Sequence, residues 1–200
     1  MNWADVRFYA ELNDFLEPCR RGRTTRYGFD VSGSVKDLIE ALGVPHTEVD
    51  IVLADGESVE FSCLVENGDR IAVYPEFEAI DVSHLVRLRP QPLRESRFVA
   101  DSHLGRLAAY LRMMGFDRIY RSDFADEELA KISASEKRIL LTRDRGLLKR
   151  NVVTRGYYLR TTNSREQLAE VLQRFDLWES TAPFERCMHC NELCSRRARN

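Results

Sequence analysis

Nowhere does the chain approach the run of about eighteen apolar residues that reads as a membrane-crossing helix. Its start, MNWADVRFYAEL, has no basic segment leading into a short apolar stretch, the pattern of a secretory leader. The expectation is therefore a cytoplasmic protein with no membrane association. Cysteine is scarce and unevenly placed: Cys19 and Cys63 are isolated, while Cys187, Cys190 and Cys194 crowd the end. That distribution suits metal binding or free thiols better than a disulfide framework. Strong charge of one sign is also missing, the net value being −2 over 200 residues. With 44% hydrophobic residues, the chain can form one or two folded units with real cores, which excludes disorder as an overall description.

The near-neutral total conceals a division. Residues 1 to 93 carry 9 basic and 17 acidic groups, a balance of −8, whereas residues 94 to 177 carry 17 and 12, a balance of +5. The basic part is where a phosphate-bearing ligand would be attracted, although surplus arginine is also an ordinary solvated surface. In the acidic part, VRFYA and RYGFDV read as paired strands around a polar loop. SVKDLIEALGVP reads as a helix capped by Ser34 and ended by Gly43 and Pro45. DIVLADGESV gives a strand, an Asp55-Gly56 turn and a return, and DRIAVYP a last strand. The prolines of LRPQPLRES mark an extended connector.

The basic half alternates. A strand at Phe98 to Ala100 precedes a helix with apolar positions Leu104, Leu107, Ala108, Leu111 and Met114, and Gly115 reads as its stop. DRIYRSD gives a strand, ADEELAKISASEKR a helix, RILLT a strand, RGLLKR a short helix and VTRGYYLRT a strand. SREQLAEVLQRF then reads as a helix with Ser164 and Gln167 spaced as a capping box. Such alternation predicts an α/β fold with a mainly parallel sheet and helices on both faces. The strand C-terminal ends then share one rim, where ligands bind. Asp101 and Asp144 each follow a strand, and Asp123, Asp126, Glu127 and Glu128 share that address. Several carboxylates on one rim repel unless a cation neutralises them, and Mg²⁺ or Mn²⁺ is the natural choice. The competing reading makes Asp101, Asp126 and Asp144 helix N-caps, and the two are compatible because a carboxylate has two oxygens. His103, two residues after Asp101, reads as an exposed first-turn side chain.

The first half, by its strand and helix order and the SVKDLIEALG and GDRIAVYP segments, resembles the β-grasp of ubiquitin-like proteins and small sulfur carriers. Working carriers end on Gly-Gly, and this chain has no adjacent glycines, so the resemblance implies an interaction module, docking a protein partner or the chain itself. The second half, RFVADSHLGRLAAYLRMMGFDRIYRSDFADEELAKISASEKRILLTRDRGLLKR with VTRGYYLRTTNSREQLAEVLQRF, resembles the Mut7-C ribonuclease domain of the PIN-like nuclease superfamily. The fold implied is a PIN-like mainly parallel sheet preceded by a small α+β ubiquitin-like β-grasp domain. The boundaries expected are 1–88 for the β-grasp domain, 89–96 for a linker, 97–178 for the nuclease domain and 179–200 for a tail.

That resemblance implies metal-dependent cleavage of RNA, with Asp101, Asp126 and Asp144 as matching acids. Asp101 and Asp144 would hold the metal, Asp126 or Glu127 would complete the shell or orient the water, and Asp123 is a further match. Arg106, Arg112, Arg143 and Arg145 are the expected phosphate contacts. The alternative is an inactive RNA-binding or scaffold protein whose acids only cap helices. In the tail, Cys187 and Cys190 form a C-x-x-C knuckle, half of a zinc ribbon; zinc binding and plain exposed thiols both remain open.

Overall fold

The computed structural model describes residues 1–75, 88 and 96–194. The chain divides into two compact units, Met1–Gln91 and Pro92–Asn200. Nearly all of the expected linker, and the basic end SRRARN, lie outside the described residues.

In the first unit, strand β1 (Asn2–Phe8) buries Ala4, Val6 and Phe8 and turns Trp3, Asp5 and Arg7 outward, the period-two pattern of a sheet with one covered face. It pairs antiparallel with β2 (Thr25–Phe29), where Asp5 stands opposite Arg26 and takes both arms of its guanidinium at 3.0 and 3.1 Å. The expected polar loop between them instead holds a 3₁₀ turn at Ala10–Phe15 that buries Leu12 and Phe15. Helix α1 (Val35–Ala41) has the anticipated cap: Ser34 accepts from the Asp37 amide while Asp37 reaches back to the Ser34 amide. Strands β3 (Ile51–Ala54), β4 (Glu57–Ser58) and β5 (Arg70–Tyr74) complete a sheet of order β2-β1-β5-β3-β4, with β1 and β5 parallel. This is a β-grasp arrangement.

The second unit is a parallel sheet of β6 (Phe98–Ala100), β7 (Arg118–Ile119), β8 (Ile139–Thr142) and β9 (Gly156–Tyr158), in order β7-β6-β8-β9. β6 and β8 are buried along their whole length, as strands covered on both faces must be, which is why FVA and ILLT read as continuous rather than alternating. One face carries α2 (Gly105–Met113) and α5 (Ser164–Arg174), whose Leu107, Ala108, Leu111, Val171 and Leu172 pack with Phe98, Ala100, Ile139 and Leu141. The other carries α3 (Asp126–Ser135) and α4 (Arg145–Leu148), whose Leu129, Ala130, Leu147 and Leu148 pack with Val99 and Leu140. Each fully buried leucine contributes roughly 1.5–3 kcal/mol through area removed from water. The expected Ser164 cap is displaced by one residue, because Asn163 accepts the Arg165 amide at 3.0 Å while the buried Gln167 donates to the Thr161 carbonyl.

The segment expected to be a separate tail belongs to this unit. Ala182 and Phe184 donate their amides to the last carbonyls of α2, at Met114 and Met113. Gly115 makes this approach possible: its φ is +93°, and a Cβ there would lie 2.3 Å from the Ala182 carbonyl oxygen. The Asn191 side chain binds beside edge strand β7, giving Nδ2 to Asp117 and accepting from the Arg118 amide. Asp117 also takes the buried Arg138 guanidinium at 2.8 Å. Burial acts to raise its pKa, but the hydrogen bonds from Arg138 and Asn191 outweigh it and hold the carboxyl below the usual carboxylate range.

A carboxyl whose folded pKa lies below its unfolded one adds stability above the unfolded value, and that stability is lost as pH falls through the folded one. Asp117→Asn is therefore expected to destabilise the protein by about 2 kcal/mol at neutral pH. Denaturant titrations should show the gap to wild type closing in strongly acidic buffer; a gap constant with pH would refute the charge argument. Gly115→Ala should lower the thermal midpoint more than Gly146→Ala, whose Cβ would meet only the Asp144 side chain at 3.1 Å.

Candidate active site

The strand order reverses between β6 and β8, the first and third strands of the unit, and in open α/β sheets ligands bind beyond the strand C-terminal ends at such a switch point. Asp101 follows β6 and Thr142 ends β8. Val99 and Leu140 share one face, so Asp101 and Thr142, each two residues on, point the same way. The Thr142 hydroxyl, on a fully buried residue, donates to Asp101 Oδ2 at 2.6 Å and accepts the Asp144 amide at 2.9 Å. One side chain thus ties both acidic positions together, and its single proton and a lone pair are both used.

Asp101 is held from its other side too. Ser102 Oγ donates to Oδ1 at 3.0 Å, and the Ser102 carbonyl accepts the Tyr120 hydroxyl at 2.9 Å. That tyrosine leaves no room over the helix start, since a Cβ on Gly105 would lie 2.6 Å from its oxygen. Only 15% of the Asp101 side chain is exposed, and it caps no helix amide. His103 is largely exposed and reaches Ser102 Oγ through Nδ1 at 2.9 Å.

Asp144 does two things at once. Its Oδ1 accepts the Gly146 and Leu147 amides and caps α4, while Oδ2 accepts no hydrogen bond from the described residues. The N-cap reading thus holds for Asp144 and fails for Asp101. It also fails for Asp126, because Ala125 is the cap residue of α3 and Asp126 its first helical residue. Asp126 and Glu127 are exposed. Glu127 lines an open groove of about 530 Å³ along α3 whose walls include none of Asp101, Thr142 or Asp144. Asp123 is forked to Arg121 at 3.0 and 2.7 Å, which lowers its pKa through those hydrogen bonds and occupies both its oxygens.

Two of the four expected phosphate contacts are committed elsewhere. Arg112 is buried and donates Nη1 to the Met188 and His189 carbonyls. Arg143 Nη1 serves the Leu159, Arg160 and Thr161 carbonyls and so fixes the turn after β9. Arg106 is exposed in the first turn of α2, and Arg145 lies over the Tyr158 ring at 5.4 Å. Residue spacing did not single out Thr142, Ser102, Tyr120 or Tyr158. The available signal was the hydroxyl closing the apolar run ILLT, since a buried hydroxyl demands a partner.

Among the described residues no three acidic, cysteine or histidine side chains gather closely enough to form a complete metal cage. At the chain end, Cys187 Sγ accepts the His189 amide at 3.4 Å and Arg186 bridges Leu193, a tight knuckle. Amides of Cys190 and His189 aimed at Cys187 lower its thiol pKa.

Two family models match: Mut7-C ubiquitin over residues 1–81 and Mut7-C RNAse domain over residues 96–200. The chain belongs to the Mut7-C RNAse domain family. Membership points to nuclease activity and RNA as its substrate class, and the ubiquitin-like domain to protein interaction. Among solved structures, two of small archaeal modifier protein 1 (SAMP1) from Haloferax volcanii are similar, at 21% and 20% identity. They cover 38% and 39% of this chain and 100% and 99% of theirs, each with a TM-score of 0.31. No curated protein matches. No helix among the described residues is long and apolar enough to cross a membrane.

Replacing Thr142 by valine keeps its shape and strands two part-buried groups, the Asp101 carboxylate oxygen and the Asp144 amide. Chemical denaturation should show a loss of about 2 kcal/mol, and a loss under about 0.5 kcal/mol would mean that the hydroxyl does not organise this rim.

Proposed function

We propose that the second unit hydrolyses phosphodiester bonds of RNA with a divalent cation held at Asp101 and Asp144. The observation that supports this reading is the Thr142 bridge, which holds the Asp101 carboxylate and the Asp144 backbone at adjoining strand ends, with Asp144 Oδ2 accepting no hydrogen bond from the described residues. Mg²⁺ and Mn²⁺ fit such a set, since these hard ions keep several waters and take one or two carboxylates rather than a full protein cage. When bound, the ion would polarise the phosphate and lower the pKa of a water. The chain's own part is to fix the two acids, and to supply exposed Asp126 or Glu127 from the first turn of α3 as outer groups that orient water. Arg106 and Arg145 serve as phosphate contacts in this reading.

The first unit serves as a non-catalytic interaction or regulatory module that recruits a protein partner. Zinc at Cys187 and Cys190 is a separate part of the proposal, supported by the knuckle geometry and needing two further ligands. All five cysteines are free.

Purified protein given Mn²⁺ or Mg²⁺ and RNA is expected to release fragments. Asp101→Asn and Asp144→Asn should each cut the rate by at least about a hundredfold, the scale for losing a charge-stabilising group, while Asp123→Asn stays near wild type. Salt-sensitive RNA binding without cleavage under any divalent ion would favour the inactive binding protein instead.

A further inference from the structure

Beyond the acids, the row of strand ends continues onto the next strand. Tyr158 stands opposite Thr142 in the parallel ladder and packs on the face that carries Val99, Leu140 and Leu147. Asp101, Thr142 and Tyr158 therefore form a row across three strand ends, and neighbouring strands lie about 4.8 Å apart. Arg145, the residue after Asp144, sets its guanidinium carbon 5.4 Å from the Tyr158 ring centroid, within cation–π range. Both side chains are half-buried, so each is positioned by packing and still presents surface.

Other arginines near this rim hold backbone or acidic groups. Arg143 is tied to three carbonyls, Arg121 to Asp123, and Arg160 to Glu170 and the Tyr157 hydroxyl. Arg145 is set against an aromatic ring on the face of the sheet that carries Val99 and Leu140, as Arg121 is against Phe124, but Arg145 directly follows the acid Asp144. A planar cation over a planar ring, roughly one nucleotide from the acids, is the chemistry that receives an unstacked base.

We propose that Arg145 and Tyr158 form a stacking subsite for the nucleobase next to the phosphate held at Asp101 and Asp144. This rests on the nuclease reading above and sharpens it. Arg145 acts through its flat face as much as its charge, and substrate must offer an unpaired base at that position. Stacking tolerates any base, so the subsite selects for strandedness and not for sequence.

The test is binding of the full chain to a labelled single-stranded RNA, and to a base-free ribose-phosphate strand of equal length, with chelator present. Wild type should prefer the base-bearing strand, and Tyr158→Leu should reduce that preference by about tenfold, with the base-free strand bound as before. Tyr158→Phe, which keeps the ring, should match wild type. Arg145→Lys, which keeps the charge without the plane, should lose preference as the leucine variant does. A wild-type protein indifferent to bases, or a leucine variant with undiminished preference, overturns the subsite. Because no cleavage is needed, stacking without catalysis would sink the nuclease reading alone, and cleavage without base preference would sink the subsite alone.

Discussion

The site depends on one buried hydroxyl. Thr142 lies at the end of a strand covered on both faces, where an unsatisfied polar group costs about 1–3 kcal/mol. It resolves that cost by joining the carboxylate of Asp101 to the backbone of Asp144. The parallel pairing of β6 with β8 brings these positions together although they are 43 positions apart in the chain, at the reversal of strand order where open α/β sheets bind ligands. Fold, polar satisfaction and proposed chemistry thus meet at a single atom.

The surplus of arginine in this unit does something other than coat the surface. Arg112, Arg118, Arg138 and Arg143 each donate to backbone carbonyls, fastening one element to another. Arg118 shows what such burial costs, its pKa being pushed down to about 10 by desolvation and by the nearby Arg112. A positive balance read from composition therefore overstates the charge available to a phosphate backbone. It also accounts for the chain end, which Arg112 and Arg186 fasten to the C-terminus of α2.

The alternation of elements in the second half was legible in the sequence because strands buried on both faces form short unbroken apolar runs between amphipathic helices. Strand β6 lies where the apolar triplet FVA predicts it, and Ser34 and Asp37 form a capping pair because that motif is local. What escaped was set by distance. Nothing near Arg112 announces carbonyls 76 residues downstream, and the choice of Asp101 between a helix amide and two hydroxyls depends on a residue from another strand. Local competition misled at α5, where Asn163 and Ser164 are both good caps and only the turn at Thr161 selects the first. Tyr158 reads as one more apolar strand residue until its register with Thr142 is known.

The central claim is that Asp101 and Asp144 share one divalent cation. Calorimetric titration of Mn²⁺ into the full chain tests it most directly, with Asp101→Asn and Asp144→Asn as comparisons. The account predicts saturable binding that either substitution abolishes, with both variants retaining the wild-type circular dichroism spectrum. Undiminished Mn²⁺ binding in both variants would contradict it.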